Sequence, residues 1–242
     1  LAELALCAPV VKAANVVPVL STVRLVHDGS QLTLTATNYE ATCTSTVVAQ
    51  GEAWAGCIEW ARLRSLLKAC EGDEITLTPN ANGVVIKAGK SKTKLPVIEA
   101  SQFPEPDWDA GEVFTSVAAD FGAAVQRVAY CVPDWDGKYA VQGMALESDA
   151  EGLRLVATDE HRLALVTLPP IGAKFSVVVP RDALPALTTI DAADVQVGKN
   201  FMLFTSGNRS LLVRLALTPF PQWKPIMPRL VNRVVVDGGA LL

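Results

Sequence analysis

Histidine is almost missing from this chain: only His27 and His161 occur among 242 residues. A zinc site needs three or four imidazole, thiolate or carboxylate ligands held together. The five cysteines, Cys7, Cys43, Cys57, Cys70 and Cys131, never fall in a C-x-x-C spacing and are odd in number. Neither a metal knuckle nor a paired disulfide framework is suggested, and buried free thiols in a reducing compartment are the reading that fits. No Gly-rich phosphate loop, G-x-S-x-G or H-E-x-x-H occurs, so the common signatures of nucleotide, serine-hydrolase and zinc-protease chemistry are lacking. No stretch approaches the ~18 uninterrupted apolar residues of a membrane helix. "LAELALCAPVV" has the apolar look of a signal core, but it carries Glu3 and no basic residue ahead of it, and it reads as a first helix. Because the chain opens on Leu1 rather than Met, its true start is expected upstream. An excess of positive charge is lacking too: Lys plus Arg total 21 against 25 Asp plus Glu, for a net charge of -4. Such a body does not coat nucleic acid by bulk attraction, and any DNA contact needs local basic patches.

What the chain does have is apolar mass and a repeat. Half of its residues are hydrophobic, enough for a substantial core, and its length favours two domains. "LTLTATNYEATC" (Leu32 to Cys43) lies over "LRLVATDEHRLA" (Leu153 to Ala164); both alternate apolar and polar residues, and both follow polar turn residues, "HDGS" and "SDAEG". "EITL" (Glu74 to Leu77) answers "DVQV" (Asp194 to Val197), the hairpin signal "AGKSK" answers "TSGNRS", and "SQFP" answers "TPFP". Four correspondences in order define two copies of one domain-sized unit of about 110 to 120 residues.

Each unit combines short alternating strands with two helical stretches. In "IEWARLRSLLKAC", Leu63, Leu66, Leu67 and Cys70 form one apolar stripe, with Arg64 and Lys68 together on another face. "SVAADFGAAVQRVAYC" predicts a helix capped by Ser116, with Val117, Phe121, Ala124 and Val128 on one side. Their counterparts, "LALCAPVVKAA" and "VPRDALPALTTI", contain Pro9 and Pro185. A proline inside a helix costs ~3 kcal/mol, so these helices are expected to start late, kink or be short. After Pro221 a proline-rich linker leads to a strand at Val234 to Val236 and a helix opening at "GGALL", as a third repeat would begin.

The compact acid–base cluster is Asp159, Glu160 and His161. It reads as an active site, a metal site, or a strand end recognised by a partner. Along a strand Asp159 and His161 would share a face with Glu160 opposite, a dyad lacking nucleophile and orienting group. A metal would want a second histidine, and His27 falls in a predicted turn of the other repeat. No catalytic residue, no metal and no cofactor are therefore expected. A satisfied strand terminus with solvent-facing His161 and Arg162 stays open as the plain alternative.

The ordered segments "PVLSTVRL", "LTLTATNYE", "SQFPE", "KYAVQGMALE", "LRLVATDEHRLA", "VVVPRDAL" and "FPQWKPIMP" resemble the bacterial DNA polymerase III beta subunit, the sliding-clamp family. The similarity spans essentially residues 1 to 242, and "ATDEHRLA" after "QGMALE" is its most specific part. The resemblance implies an α+β fold class: tandem DNA clamp domains, each with two helices packed on antiparallel sheets, arranged as part of a ring with helices inside and sheets outside. Residues 1–110 and 111–228 would be clamp domains one and two, and 229–242 the start of a third. The implied function is a non-catalytic, cytoplasmic, nucleoid-associated processivity factor of DNA replication that encircles duplex DNA without reading its sequence. A clamp-like scaffold that binds proteins without encircling DNA is the alternative. Lumen candidates are Lys12, Arg62, Arg64, Lys68, Arg127 and Arg181 on the helical stretches; these also read as ordinary solvated charges on amphipathic helices. Lys138 and Tyr139 match a family segment near the DNA path. Thr158, His161, Arg162 and Leu163, with Val141 and Pro228, match a family pocket for short peptides of the polymerase catalytic subunit and the clamp loader. Glu160 stands where the family usually has Gly or Ser, and "TNYEAT" lacks the His and Arg, so one pocket per chain is expected. Homo-oligomerisation follows as well, a ring dimer with a third domain or a trimer without one, and no membrane partner.

Overall fold

Period-two alternation builds most of the chain. A computed structural model describes residues 2–11, 16–69, 74–80, 83–106, 108, 111, 113–135 and 141–228. The first repeat starts with a short helix, α1 (Ala2–Cys7). It stops before Pro9, whose ring disfavours helical backbone at Ala8 and which has no N–H to donate. Four strands follow, β1 (Thr22–His27), β2 (Gln31–Thr37), β3 (Ala41–Val48) and β4 (Trp54–Glu59). Helix α2 (Trp60–Lys68) then buries Trp60, Leu63 and Leu67, and β5 (Ile75–Asn80), β6 (Gly83–Ala88) and β7 (Ser91–Leu95) complete the unit.

The second repeat runs β8 (Val113–Val117), α3 (Phe121–Ala129), β9 (Gly143–Asp149), β10 (Gly152–Thr158), β11 (Leu163–Leu168) and β12 (Phe175–Pro180). A 3-10 turn (Arg181–Ala183) leads into α4 (Leu184–Leu187), then β13 (Ala193–Val197), β14 (Phe201–Ser206) and β15 (Arg209–Arg214). Pro185 sits in the first turn of α4, where a missing N–H is tolerated, so this helix does start late and stay short. The repeated sequence segments land on matching elements: β2–β3 with β10–β11, β5 with β13, and the β6–β7 hairpin with β14–β15. The two latter hairpins turn on Gly89 (φ 58°) and Gly207 (φ 59°), the same left-handed backbone.

Two expectations are corrected. Ser116 is not a helix cap but a strand residue, paired with Asp194 across β8 and β13; "VFTSV" alternates and completes a sheet edge, and the helix begins only at Phe121, with Asp120 at its N-cap. His27 does not lie in a turn: it ends β1, opposite Trp54 and Leu32. Its Nδ1 lies 2.9 Å from the Glu52 carbonyl oxygen.

The strands form sheets ordered β4-β1-β2-β3-β15-β14-β13-β8, β11-β10-β9-β12 and β5-β6-β7. The first is shared by both repeats, with a seam where β3 pairs antiparallel with β15 and Cys43 faces Leu211. Asn208 Nδ2 donates to the Thr46 carbonyl at 2.7 Å across that seam. Arg209 of β15 donates from Nε and Nη2 to the Glu3 carboxylate of α1 at 3.0 and 2.8 Å. Ser45 donates to the same carboxylate, which the Arg209 bond and the Ser45 bond hold below its ordinary pKa against a burial penalty.

One core runs through both units on the helical side of the sheets. Cys7 of α1, Leu63 of α2, Phe121 of α3 and Leu187 of α4 belong to it together with Leu25, Leu155 and Phe204. The Phe121 and Phe204 rings, both fully buried, lie 5.6 Å apart between centroids. The opposite face of β9 and β10 carries a smaller cluster, Ala145 and Val156 covered by Trp223.

Candidate functional site

The cluster Thr158 to Leu163 is the connection between β10 and β11, and its chemistry is that of a turn. Asp159 Oδ1 accepts the backbone N–H of His161 at 3.1 Å and of Arg162 at 2.9 Å. Thr158 Oγ1 donates to the Arg162 carbonyl at 2.9 Å and receives the Glu160 N–H at 3.3 Å. An aspartate or threonine that bonds the backbone two or three residues on stabilises such a turn without tertiary help. The strand alternation that would have put Asp159 and His161 on one face therefore does not apply. These residues lie beyond the end of β10, and Glu160 has left-handed backbone, φ 70°.

The β2–β3 connection repeats this wiring. Asn38 Oδ1 accepts from Glu40 and Ala41 at 3.1 and 2.7 Å, Thr37 Oγ1 donates to the Ala41 carbonyl at 3.1 Å and receives the Tyr39 N–H at 3.2 Å, and Tyr39 has φ 74°. Asp159 thus does the work of Asn38. Its carboxyl is pulled down to about 2, first by the Arg162 backbone N–H and then by the Arg162 side chain. A carboxylate held ionised and hydrogen-bonded in this way is not a proton acceptor for catalysis near neutral pH.

What distinguishes the second turn is Arg162. Its Nε donates to Asp159 Oδ2 at 2.8 Å, its Nη2 to the Tyr130 carbonyl at 3.3 Å, and its guanidinium stacks 5.3 Å from the Tyr130 ring centroid. Three contacts fix one exposed cation at the end of α3, with His161 exposed beside it. Leu163, opposite Thr158 in the β10–β11 register, packs against the Ala145, Val156 and Trp223 cluster. Val141 is buried just ahead of β9, and Pro228 is exposed beyond the 3-10 turn Lys224–Ile226.

Trp223 escaped the sequence reading, which saw only a proline-rich linker. It is 6% exposed and donates Nε1 to Glu147 Oε1 at 3.0 Å, pinning the linker to the outer face of β9. Glu147 lies 3.8 Å from Arg154, a 7% exposed guanidinium that also meets Asp149 and Glu151. A tryptophan among prolines was the available signal, because a large amphipathic ring usually finds both an apolar bed and a partner for its N–H.

The basic candidates divide. On α2, Arg62 pairs with Glu59 at 2.7 Å and Arg64 stacks 5.7 Å from the Trp60 ring, while Lys68 is exposed in the last turn. Arg127 is exposed in the last turn of α3, and Arg181 Nη2 lies 3.8 Å from Asp134 Oδ2. Lys12, Lys138, Tyr139 and residues 229–242 lie outside the described residues. Among the described residues no group of three or more His, Cys, Asp or Glu side chains is placed to hold a metal, and no helix is long and apolar enough to cross a membrane.

Two family models account for both repeats. Residues 1–107 match the N-terminal domain of the DNA polymerase III beta subunit, and residues 117–222 match its central domain. The chain belongs to the DNA polymerase III beta subunit family. A beta sliding clamp of Pseudomonas aeruginosa is 29% identical over 98% of this chain and 68% of its own length. The crystal structure of the DNA polymerase III subunit beta from that organism superposes with a TM-score of 0.86 at 29% identity, covering 94% of this chain and 65% of that one. The Caulobacter crescentus pol III beta structure gives 0.86 at 26% identity, over 94% and 66%. The α+β clamp fold expected from the sequence is therefore the fold observed. The chain spans just under two thirds of the length of these solved beta subunits.

Proposed function

We propose that this chain is a DNA sliding clamp: a non-catalytic replication factor that encircles duplex DNA and tethers the polymerase to it. The observation that carries the reading is the seam between β3 and β15. By repeat equivalence β11 corresponds to β3, and β7 to β15. β11 and β7 are end strands of their sheets. The two smaller sheets thus end in strands of the same two kinds that the chain has already joined once in its eight-stranded sheet. A further domain, or another copy, joined by the same pairing would extend the sheet into a ring, a dimer with a third domain or a trimer of two-domain chains. The division into 1–110, 111–228 and a third unit opening at 229–242 belongs to this reading.

A ring resolves conflicting physical demands. Neutralising many phosphates gives tight, salt-dependent binding that opposes movement, whereas enclosure keeps the protein on its polymer with weak contacts. The acidic net charge of -4 then disfavours DNA everywhere but the lumen. Lys12, Arg64, Lys68, Arg127, Lys138 and Tyr139 are the proposed phosphate contacts; Arg62 and Arg181 join them with their charge partly offset by Glu59 and Asp134. Thr158, His161, Arg162 and Leu163 with Val141 and Pro228 form the proposed pocket for peptides of the polymerase catalytic subunit and the clamp loader, a polar hairpin end beside an apolar wall. The work would be done in the cytoplasm, at the nucleoid.

Those two offset arginines favour a second reading, a clamp-like scaffold that binds proteins without enclosing DNA. Retention on nicked circular DNA, loaded with clamp loader and ATP and then linearised, separates the two. Release on linearisation supports enclosure. Equal retention on both forms, or none on either, sinks it.

A further inference from the structure

Two of the buried thiols meet. Cys7 Sγ, at the end of α1, lies 3.8 Å from Cys43 Sγ, in the middle of β3, and the two residues are 0% and 4% exposed. The other described cysteines, Cys57 and Cys131, are free and buried; Cys57 makes its sulfur contact with the Glu99 carbonyl instead. A pair of thiols in van der Waals contact across two elements has to close from 3.8 Å to the ~2.0 Å of a disulfide.

The pair is also reachable. Cys43 lines a cavity of about 80 Å³ above the β3–β15 seam, walled by Leu6, Phe204 and Leu211 and bordered by Asp191 and Arg209. Cys43 itself is only 4% exposed, so a small molecule entering the cavity reaches its sulfur more readily than a bulky peptide disulfide does. From this geometry we infer that Cys7 and Cys43 form a modification site for a small peroxide, closing to a disulfide that ties α1 to the seam strand.

The chemistry balances with hydrogen peroxide as the oxidant. The Cys43 sulfur attacks one peroxide oxygen; the S–O bond forms, the O–O bond breaks, and the departing hydroxide takes the Cys43 thiol proton to leave as water, giving a sulfenic acid on Cys43. The Cys7 sulfur then attacks the Cys43 sulfur; the S–S bond forms, the S–O bond breaks, and hydroxide departs with the Cys7 proton as a second water. The order follows from the cavity, which opens on Cys43. Cys7 is also the poorer first nucleophile: a hydrogen bond with Cys43 and then burial push its thiol well up, so it stays protonated in the resting protein.

The test uses the whole chain, exposed in parallel to hydrogen peroxide and to glutathione disulfide at equal oxidising equivalents, then denatured, alkylated and mass-mapped. The expected result with peroxide is the loss of two hydrogens and one cross-linked peptide joining Cys7 to Cys43. Glutathione disulfide should give neither the link nor a mixed disulfide on Cys43 over the same time. A Cys7→Ser chain should accumulate a Cys43 sulfenic acid that dimedone captures. Free, alkylated Cys7 and Cys43 after peroxide would overturn the proposal, as would links to Cys57, Cys70 or Cys131 instead, or an equal reaction with glutathione disulfide. Because the time course on the unaltered chain decides, a variant that folds poorly does not blunt the test.

Discussion

Replacing Glu160 with glycine should stabilise this protein, although the change removes a charged side chain and adds no contact. Glu160 holds φ 70°, where an L-residue suffers a clash between Cβ and the carbonyl worth ~1–2 kcal/mol. Glycine escapes that clash but gives up ~0.5–1 kcal/mol through the greater freedom of its unfolded chain. The turn itself survives, because its bonds come from Thr158, Asp159 and the backbone N–H groups of residues 160 to 162. The net gain is about 0–1.5 kcal/mol, or up to roughly 6 °C in Tm for a chain of this size. Differential scanning calorimetry of Glu160→Gly, Glu160→Asn and Glu160→Ala measures it: glycine highest, asparagine between, and alanine within about 0.5 kcal/mol of the parent, because alanine keeps the clash. If Glu160→Gly melts no higher than Glu160→Ala, the backbone argument is wrong, because the two variants differ only in the Cβ that the left-handed backbone should resent. The same series at Tyr39, φ 74°, serves as an internal replicate.

Other predictions address packing, charge and binding. Phe121→Ala, which empties the fully buried side of the Phe121–Phe204 contact, should cost about 3–5 kcal/mol in urea unfolding; a loss under about 1 kcal/mol would mean that the core is not packed as described. The Glu3 carboxyl titrates below its ordinary 4.5 in the folded chain, so its stabilising contribution is complete above that value and is lost as pH falls through the lower folded one. Unfolding free energy should therefore drop on acidification from about pH 5, and Arg209→Met should flatten that drop; parallel profiles for the two proteins would remove the pair from the account. Charge reversal of Arg64 and Lys68 to glutamate should shorten residence on circular DNA several-fold at low salt with unchanged oligomeric mass, and unchanged residence would strike both from the lumen. Trp223→Phe, which removes the bond to Glu147 but keeps most of the apolar cover, should lose about 1 kcal/mol and raise protease cleavage in the linker; resistance equal to the parent would show that the linker is held elsewhere.

Much of this architecture was legible because duplication is visible as text. Leu32 to Cys43 and Leu153 to Ala164 carry the same alternation, and the hairpin threonines Thr37 and Thr158 recur with their turn acceptors Asn38 and Asp159. Pro9 and Pro185 limited two helices as their ring chemistry requires. Legibility failed where a local signal had two uses. "SVAAD" supports a helix start by composition, but Val113 to Val117 was needed to finish a sheet whose other strands lie far along the chain. At Thr158 to Arg162, sequence spacing placed the residues at the end of a strand but did not show that the chain reverses there, so strand alternation was carried into what is a turn. Partners from distant segments, Tyr130 beneath Arg162 and Glu147 beside Trp223, have no signature in either segment alone.

The β3–β15 seam has one more consequence. It joins two unlike edges, and a unit with one edge of each kind at its ends can add neighbours without limit unless the turn per unit brings the last back to the first. Copy number is then a matter of curvature, fixed by the bend between successive repeats rather than by how strongly any two adhere. If the proposed ring forms, a change that flattened the bend at this seam while preserving its hydrogen bonds would give a filament in its place, a failure visible by electron microscopy but invisible to any measure of pairwise affinity.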